Sequence, residues 1–171
     1  MSSIQDHPRW FELSDGVSTV VANIYDALDF SQTYEIFGGS SLIRMMNGGA
    51  LKQVNWQKLR TSISGSGGLP FGFAELDFKQ ILTLKCAVPR AIVKAMNSFT
   101  LPTNRRTDAG YEPVTLKLVE GFWLPLTSVG VASAYKLMYY PQIQCFADPP
   151  QESTNPDSNP PTSWSFVAEE I

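Results

Sequence analysis

The sequence predicts an all-β chain, a β-sandwich or distorted barrel with at most one short helix. Three observations carry that prediction: apolar and polar residues alternate at period two in several runs, glycines and prolines interrupt those runs at short intervals, and helical periodicity is scarce. The 171 residues include 12 glycines and 12 prolines, and only 17% are charged. A typical domain carries ~25% charged residues, so this composition describes a folded, turn-rich chain. The length suits a single domain spanning residues 1–171.

In chain order, Val17 to Ala22, Tyr34 to Phe37, Leu42 to Met46, Leu51 to Trp56 and Arg60 to Ser64 read as strands. Gly38-Gly39 and Asn47-Gly48-Gly49 separate neighbouring runs, as hairpin turns do. Val20 to Phe30 also fits a helix, with Val20, Ile24, Ala27 and Leu28 on one face, and Pro89 to Met96 fits another that Pro89 would open. Both segments fit strands equally. Ser64 to Gly72 is rich in glycine and reads as a loop.

Leu82, Leu84 and Cys86 alternate with Thr83 and Lys85 as a half-buried strand that Pro89 ends. Ile92 to Ala95, Val114 to Leu118 and Phe122 to Leu124 follow, the last two joined at Glu120-Gly121. Tyr135 to Tyr140 stops at Pro141, and Ile143, Cys145 and Ala147 continue the alternation, as one bent strand or a hairpin pair. Trp164, Phe166 and Ala168 form the last strand. The pattern places Leu82, Leu84, Cys86, Tyr135, Leu137, Trp164 and Phe166 in one core.

Charge is unevenly placed. The formal net charge is −3. Asp148, Glu152 and Asp157 account for all of it, because the remaining acids and bases balance. These three lie in a proline-rich segment, 148–163, that contains no base and reads as an extended arm. Without a basic field, free-standing nucleic-acid binding is disfavoured. No apolar run approaches the ~20 residues that cross a bilayer, and residues 1–9 are polar where a secretory signal would be apolar. Synthesis in the cytoplasm and no membrane insertion are expected.

The residues offer little catalytic chemistry. Two cysteines and one histidine are too few for a self-contained Cys/His zinc site. Gly65-Ser66-Gly67-Gly68 fails as a dinucleotide fingerprint, because Pro70 takes the third glycine position, and no Lys-Ser or Lys-Thr follows it. His7 stands in a polar stretch that would hold a general base poorly. Glu75 with Asp77, or Asp26 with Asp29, could form a glycosidase pair only at the right separation, and solvated surface acids are the default. Cys86 and Cys145 are expected as buried thiols, a bridge between them being the lesser alternative. Arg105-Arg106 with Asp108 reads as an exposed charged loop or as an arginine clamp on a carboxylate. Neither a cofactor nor an enzymatic activity is expected.

One resemblance is available. It rests on Lys52-Gln53 with Trp56, the run Arg60 to Gly67, Leu69-Pro70-x-Gly72, Leu76-Asp77-Phe78, the run Leu82 to Ile92, Tyr139-Tyr140-Pro141 and the closing Trp164-x-Phe166-x-Ala168-Glu169-Glu170. From about residue 50 to the end, this pattern resembles minor tail proteins of long-tailed, non-contractile bacteriophages, similar to the distal tail protein and the tail-tube subunit. The resemblance implies a β-sandwich assembling as a homohexameric ring in the virion tail, around a channel that DNA crosses without specific binding. Its partners would be itself and the tube, hub and tape-measure proteins. The subunit interface expected on this basis comprises Gly65, Ser66, Gly67, Gly68, Phe71, Phe73, Arg105, Arg106, Pro149, Pro150, Pro156 and Pro160. A tail-tube subunit and, from another class, a carbohydrate-binding host-attachment module are the alternatives.

Overall fold

The computed structural model describes residues 10–23, 27–67, 72–157 and 162–171. Among them are fourteen strands and one 3-10 turn, Phe73–Glu75, so the all-β expectation holds. The strands are β1 (Trp10–Ser14), β2 (Thr19–Asn23), β3 (Ala27–Phe37), β4 (Ser40–Arg44), β5 (Ala50–Val54), β6 (Lys58–Gly67) and β7 (Leu82–Lys85). They continue with β8 (Arg90–Lys94), β9 (Val114–Val119), β10 (Phe122–Pro125), β11 (Ala134–Tyr139), β12 (Gln142–Ala147), β13 (Gln151–Thr154) and β14 (Thr162–Glu170). The described residues form an eight-stranded sheet in the order β2-β1-β7-β12-β14-β6-β3 with β13 added beside β14, a four-stranded sheet β10-β9-β11-β8, and the isolated pair β4-β5. Every pairing among them is antiparallel.

The large sheet is strongly curled. Its edge strands β2 and β3 sit at opposite ends of the strand order, yet only three residues join them. That connection reaches at most ~15 Å. Across the interior, Phe11 of β1 stacks on Phe30 of β3 at 6.0 Å between ring centroids and meets Trp164 of β14 at 5.6 Å. Strands distant in the sheet order therefore touch through their inward faces. The core inside contains Phe11, Leu13, Ile63, Leu82, Leu84, Cys86, Ile143, Cys145, Trp164, Phe166 and Ala168. Each contributing strand alternates buried and more exposed positions, as the period-two reading requires.

Several expectations need correction. Where they are described, both candidate helices are strands: residues 19–23 pair with β1, residues 27–30 belong to β3 and residues 90–94 pair with β11, while Ile24 lies outside the described residues. Their β-branched residues suit the pleated sheet, where neighbouring strands complete the backbone hydrogen bonds. Tyr135 and Leu137 lie outside the large core, because β11 belongs to the four-stranded sheet; Leu137 is buried there and Tyr135 half-buried. At Pro141 the chain passes from that sheet into the large one, so β11 and β12 form a bent continuation rather than a hairpin. Proline carries no N–H to continue a ladder, and its own carbonyl accepts the Cys86 N–H at 2.9 Å. Two strands, β1 and β13, escaped the sequence reading.

The predicted loop at Ser64 to Gly72 is also revised. Residues 64–67 are the end of β6. Trp164 is the register partner of Gly65, and a Cβ at Gly65 would stand 2.7 Å from the indole ring. Glycine is needed there because the largest side chain of the neighbouring strand covers its backbone. By contrast, Glu120-Gly121 forms the expected two-residue hairpin between β9 and β10, with φ of 51° and 87°.

These contacts set two mutational outcomes. Leu84→Ala removes a fully buried side chain and should lower stability by about 2–5 kcal/mol. Gly65→Ala forces a methyl against the indole and should cost about 1–3 kcal/mol, whereas Ser62→Ala, at an exposed position of the same strand, should stay within ~0.5 kcal/mol. Denaturant unfolding of the three variants checks the set, and equal effects at Gly65 and Ser62 would contradict the packing.

Candidate functional site

Arg106 is a buried anchor within the chain's own fold. Its side chain is 0% exposed, and the guanidinium lies 4.2 Å from the Trp10 ring centroid and 3.4 Å from that of Tyr111. Nη1 donates to the carbonyls of Trp10 and Cys86 at 2.9 and 3.0 Å, while Nε and Nη2 donate to Asp108 Oδ2 at 3.2 and 2.6 Å. One cation thus fastens the loop before β9 to the start of β1 and the end of β7. Of the two sequence readings, the clamp is the one observed, with Asp108 as its carboxylate. Lys85 supports it, 3.9 Å from Asp108 and 3.1 Å from Glu12. Burial alone would raise the Asp108 carboxyl, but hydrogen bonds and charge from Arg106 hold it below its ordinary value of 3.8.

The remaining chemical groups are quiet. Cys86 and Cys145 are free and buried, as expected, and burial pushes their thiols up to about 11 and about 12. Both stay protonated at neutral pH, where a thiol is a weak nucleophile. Glu75 and Asp77 are exposed, and the Asp77 N–H donates to Asp15 Oδ2 at 3.0 Å. Asp29 is exposed, while Asp26 and His7 lie outside the described residues. Among the described residues, no group of three or more His, Cys, Asp and Glu side chains is placed to hold a metal ion.

The unusual surface is the β4-β5 pair, an arm in which every residue over 40–57 is exposed. Cross-strand partners share a face, so the register puts Leu42 and Val54 on one side and Ile43 with Leu51 on the other. Both faces thus expose aliphatic side chains, and Met46 at the tip is fully exposed. Among the described residues, β4 and β5 pair with each other and with no third strand. The tip is built by Asn47-Gly48-Gly49: the Gly49 N–H donates to Asn47 Oδ1 at 2.9 Å, and Gly48 takes a φ of 80°.

The neck of the arm explains Gly38-Gly39. These glycines do not turn a hairpin, because β3 pairs with β6 and not with β4. A Cβ on Gly38 would stand 2.1 Å from the Trp56 carbonyl oxygen, and one on Gly39 would stand 2.6 Å from its indole nitrogen. The chain enters and leaves the arm in direct contact, and the Asn55 N–H donates to the Gly39 carbonyl at 2.9 Å. Trp56 meets Phe37 edge-on at 5.6 Å, and Arg60 covers the other aromatic partner at 4.8 Å. The arm is therefore fastened at its base and uncovered along its length.

No protein-family model matches the sequence, and no curated protein matches it. The surface must be read from its own chemistry.

The residues expected at an interface are scattered. Gly65, Gly67, Phe73 and Arg106 are buried within the chain, and Ser66 is half-buried in β6. Arg105 is half-buried and donates to the Pro102 carbonyl at 2.7 Å. Pro149 and Pro156 are exposed and Pro150 is half-buried, while Gly68, Phe71 and Pro160 lie outside the described residues. The expected arm at 148–163 is in part a strand, since β13 pairs with β14 through Gln151–Thr154. Sequence reasoning gave the β4-β5 hairpin and its Asn47-Gly48-Gly49 turn but not its exposure, although its two bases, Arg44 and Lys52, with no acid were visible.

Removing the Asp108 charge leaves a buried cation without its counter-ion. Asp108→Asn should cost about 3 kcal/mol at pH 7. Because the folded carboxyl titrates below its unfolded value, its stabilisation is full above pH ~4 and is lost as pH falls through the lowered value. The gap between the wild-type protein and Asp108→Asn should accordingly narrow in urea unfolding below pH ~4; a gap constant with pH would contradict the assignment.

Proposed function

We propose that this chain is a structural virion protein of a long-tailed, non-contractile phage, a subunit that assembles as a ring at the distal end of the tail tube. The observation that carries the reading is the arm. An isolated two-stranded hairpin is marginal in water, and one with aliphatic residues on both faces and two unpaired edges invites another chain. A monomeric protein would hide such a surface. Here it is held away from the body by a neck of close-packed glycines and a tryptophan.

The sequence resemblance supplies the class of assembly, and the all-β fold agrees with what that resemblance implies. Outside 148–163 the charges balance, so a ring of such subunits presents no basic wall on which passing DNA would stall. Ring closure would also cover sheet edges that the monomer leaves open. A tail-tube subunit would use the same surfaces in many stacked rings, and copy number per particle separates the two.

Replacing residues 40–54 by a short Gly-Ser link tests the role of the arm. The shortened protein should unfold as cooperatively as the full chain, because the arm contributes nothing to the buried core, yet fail to enter tails when it is the only source of this subunit. Normal incorporation, read by labelling purified particles, would refute the proposal.

A further inference from the structure

The arm has a complementary surface on the same chain, at the corner where β12 passes into β13. Three features meet there. First, β13 pairs with β14 on one side and, among the described residues, with no strand on the other, so a row of backbone donors and acceptors is open. Second, a groove of about 500 Å³ beside it is lined by Phe73, Leu76, Phe78, Pro149, Pro150 and Glu152. Third, the segment 148–157 contains Asp148, Glu152 and Asp157 and no base, whereas the arm contains Arg44 and Lys52 and no acid. The exposed apolar area on the four-stranded sheet contains Arg90, Lys94, Lys117 and Lys136 in its strands and would repel the arm.

We infer that the β4-β5 arm of one copy docks on the acidic β13 corner of a second copy. An arm strand adds to the open edge of β13, an aliphatic face of the arm enters the groove, and Arg44 and Lys52 meet the corner's carboxylates. The arm is exposed along its length in its own chain, so its own corner does not receive it. Arm and corner are different surfaces, which makes the contact heterologous: each copy gives an arm and receives one, and such contacts close into a ring or run on as a filament. The inference rests on the assembly reading above and names the two surfaces through which it operates.

Charge reversal tests it on the full-length chain. R44E/K52E and E152K/D157K should each abolish self-association in sedimentation velocity, and an equal mixture of the two should restore it, because every reversed arm then finds a reversed corner. Independently, mixed M46C and E152C copies should form an interchain disulfide at least tenfold more than either variant alone. Cys86 and Cys145 are buried and do not compete. Self-association that is indifferent to both reversals and gives no mixed disulfide would overturn the docking and leave assembly standing. A wild-type chain that stays monomeric at every concentration would overturn both.

Discussion

The fold depends on the closing strand. β14 pairs with β6 along one edge and with β12 and β13 along the other, and it aims Trp164 into the curled sheet. That single indole meets the rings of Phe11, Phe30 and Phe73 at 5.6, 6.5 and 5.5 Å, which join β1, β3 and the 3-10 turn. The large aromatic fits only because Gly65 on the neighbouring strand leaves its space open. A side chain near the end of the sequence thus decides that a glycine run in the middle is strand, and closes a sheet whose first strand lies at the start.

With that core filled by its own residues, the aliphatic side chains on β4 and β5 are surplus to the domain. A protein of this size exposes single apolar residues routinely, but a continuous, two-faced array on a projecting hairpin is a different matter. The neck at Gly38, Gly39 and Trp56 sets the arm's exit from β3 and its return into β6. The corner that complements it is likewise set by the body, since β13 exists as a strand only because β14 is long enough to pair with β6 throughout and with two strands in turn on its other side. Core, arm and corner are therefore linked through the same two strands, β6 and β14.

What was legible in the sequence follows from this division. The strands around Leu82 to Cys86, Ile143 to Ala147 and Trp164 to Ala168 announced themselves, because alternation reports a sheet with one buried face. The apolar runs Leu42 to Met46 and Leu51 to Trp56, divided by a glycine turn, gave a hairpin in the right place and no hint that nothing covers it, since burial depends on a second layer that the local pattern does not encode. β13 was illegible for the opposite reason: Gln151, Glu152, Ser153 and Thr154 carry no apolar residue, and the edge of β14 alone makes them a strand. For Arg105-Arg106 with Asp108 the sequence offered an exposed loop or a clamp on a carboxylate, and the structure shows Arg106 clamped on Asp108. The burial of Arg106 was not legible, because Trp10 lies 96 residues away in sequence.

Amide hydrogen exchange of the arm, in dilute monomer and in the assembled protein, tests the account most directly. The outer-edge amides of β4 and β5 should exchange rapidly in the monomer and become protected on assembly, together with the open edge of β13. Arm amides that exchange as fast in the assembly as in the monomer would contradict it.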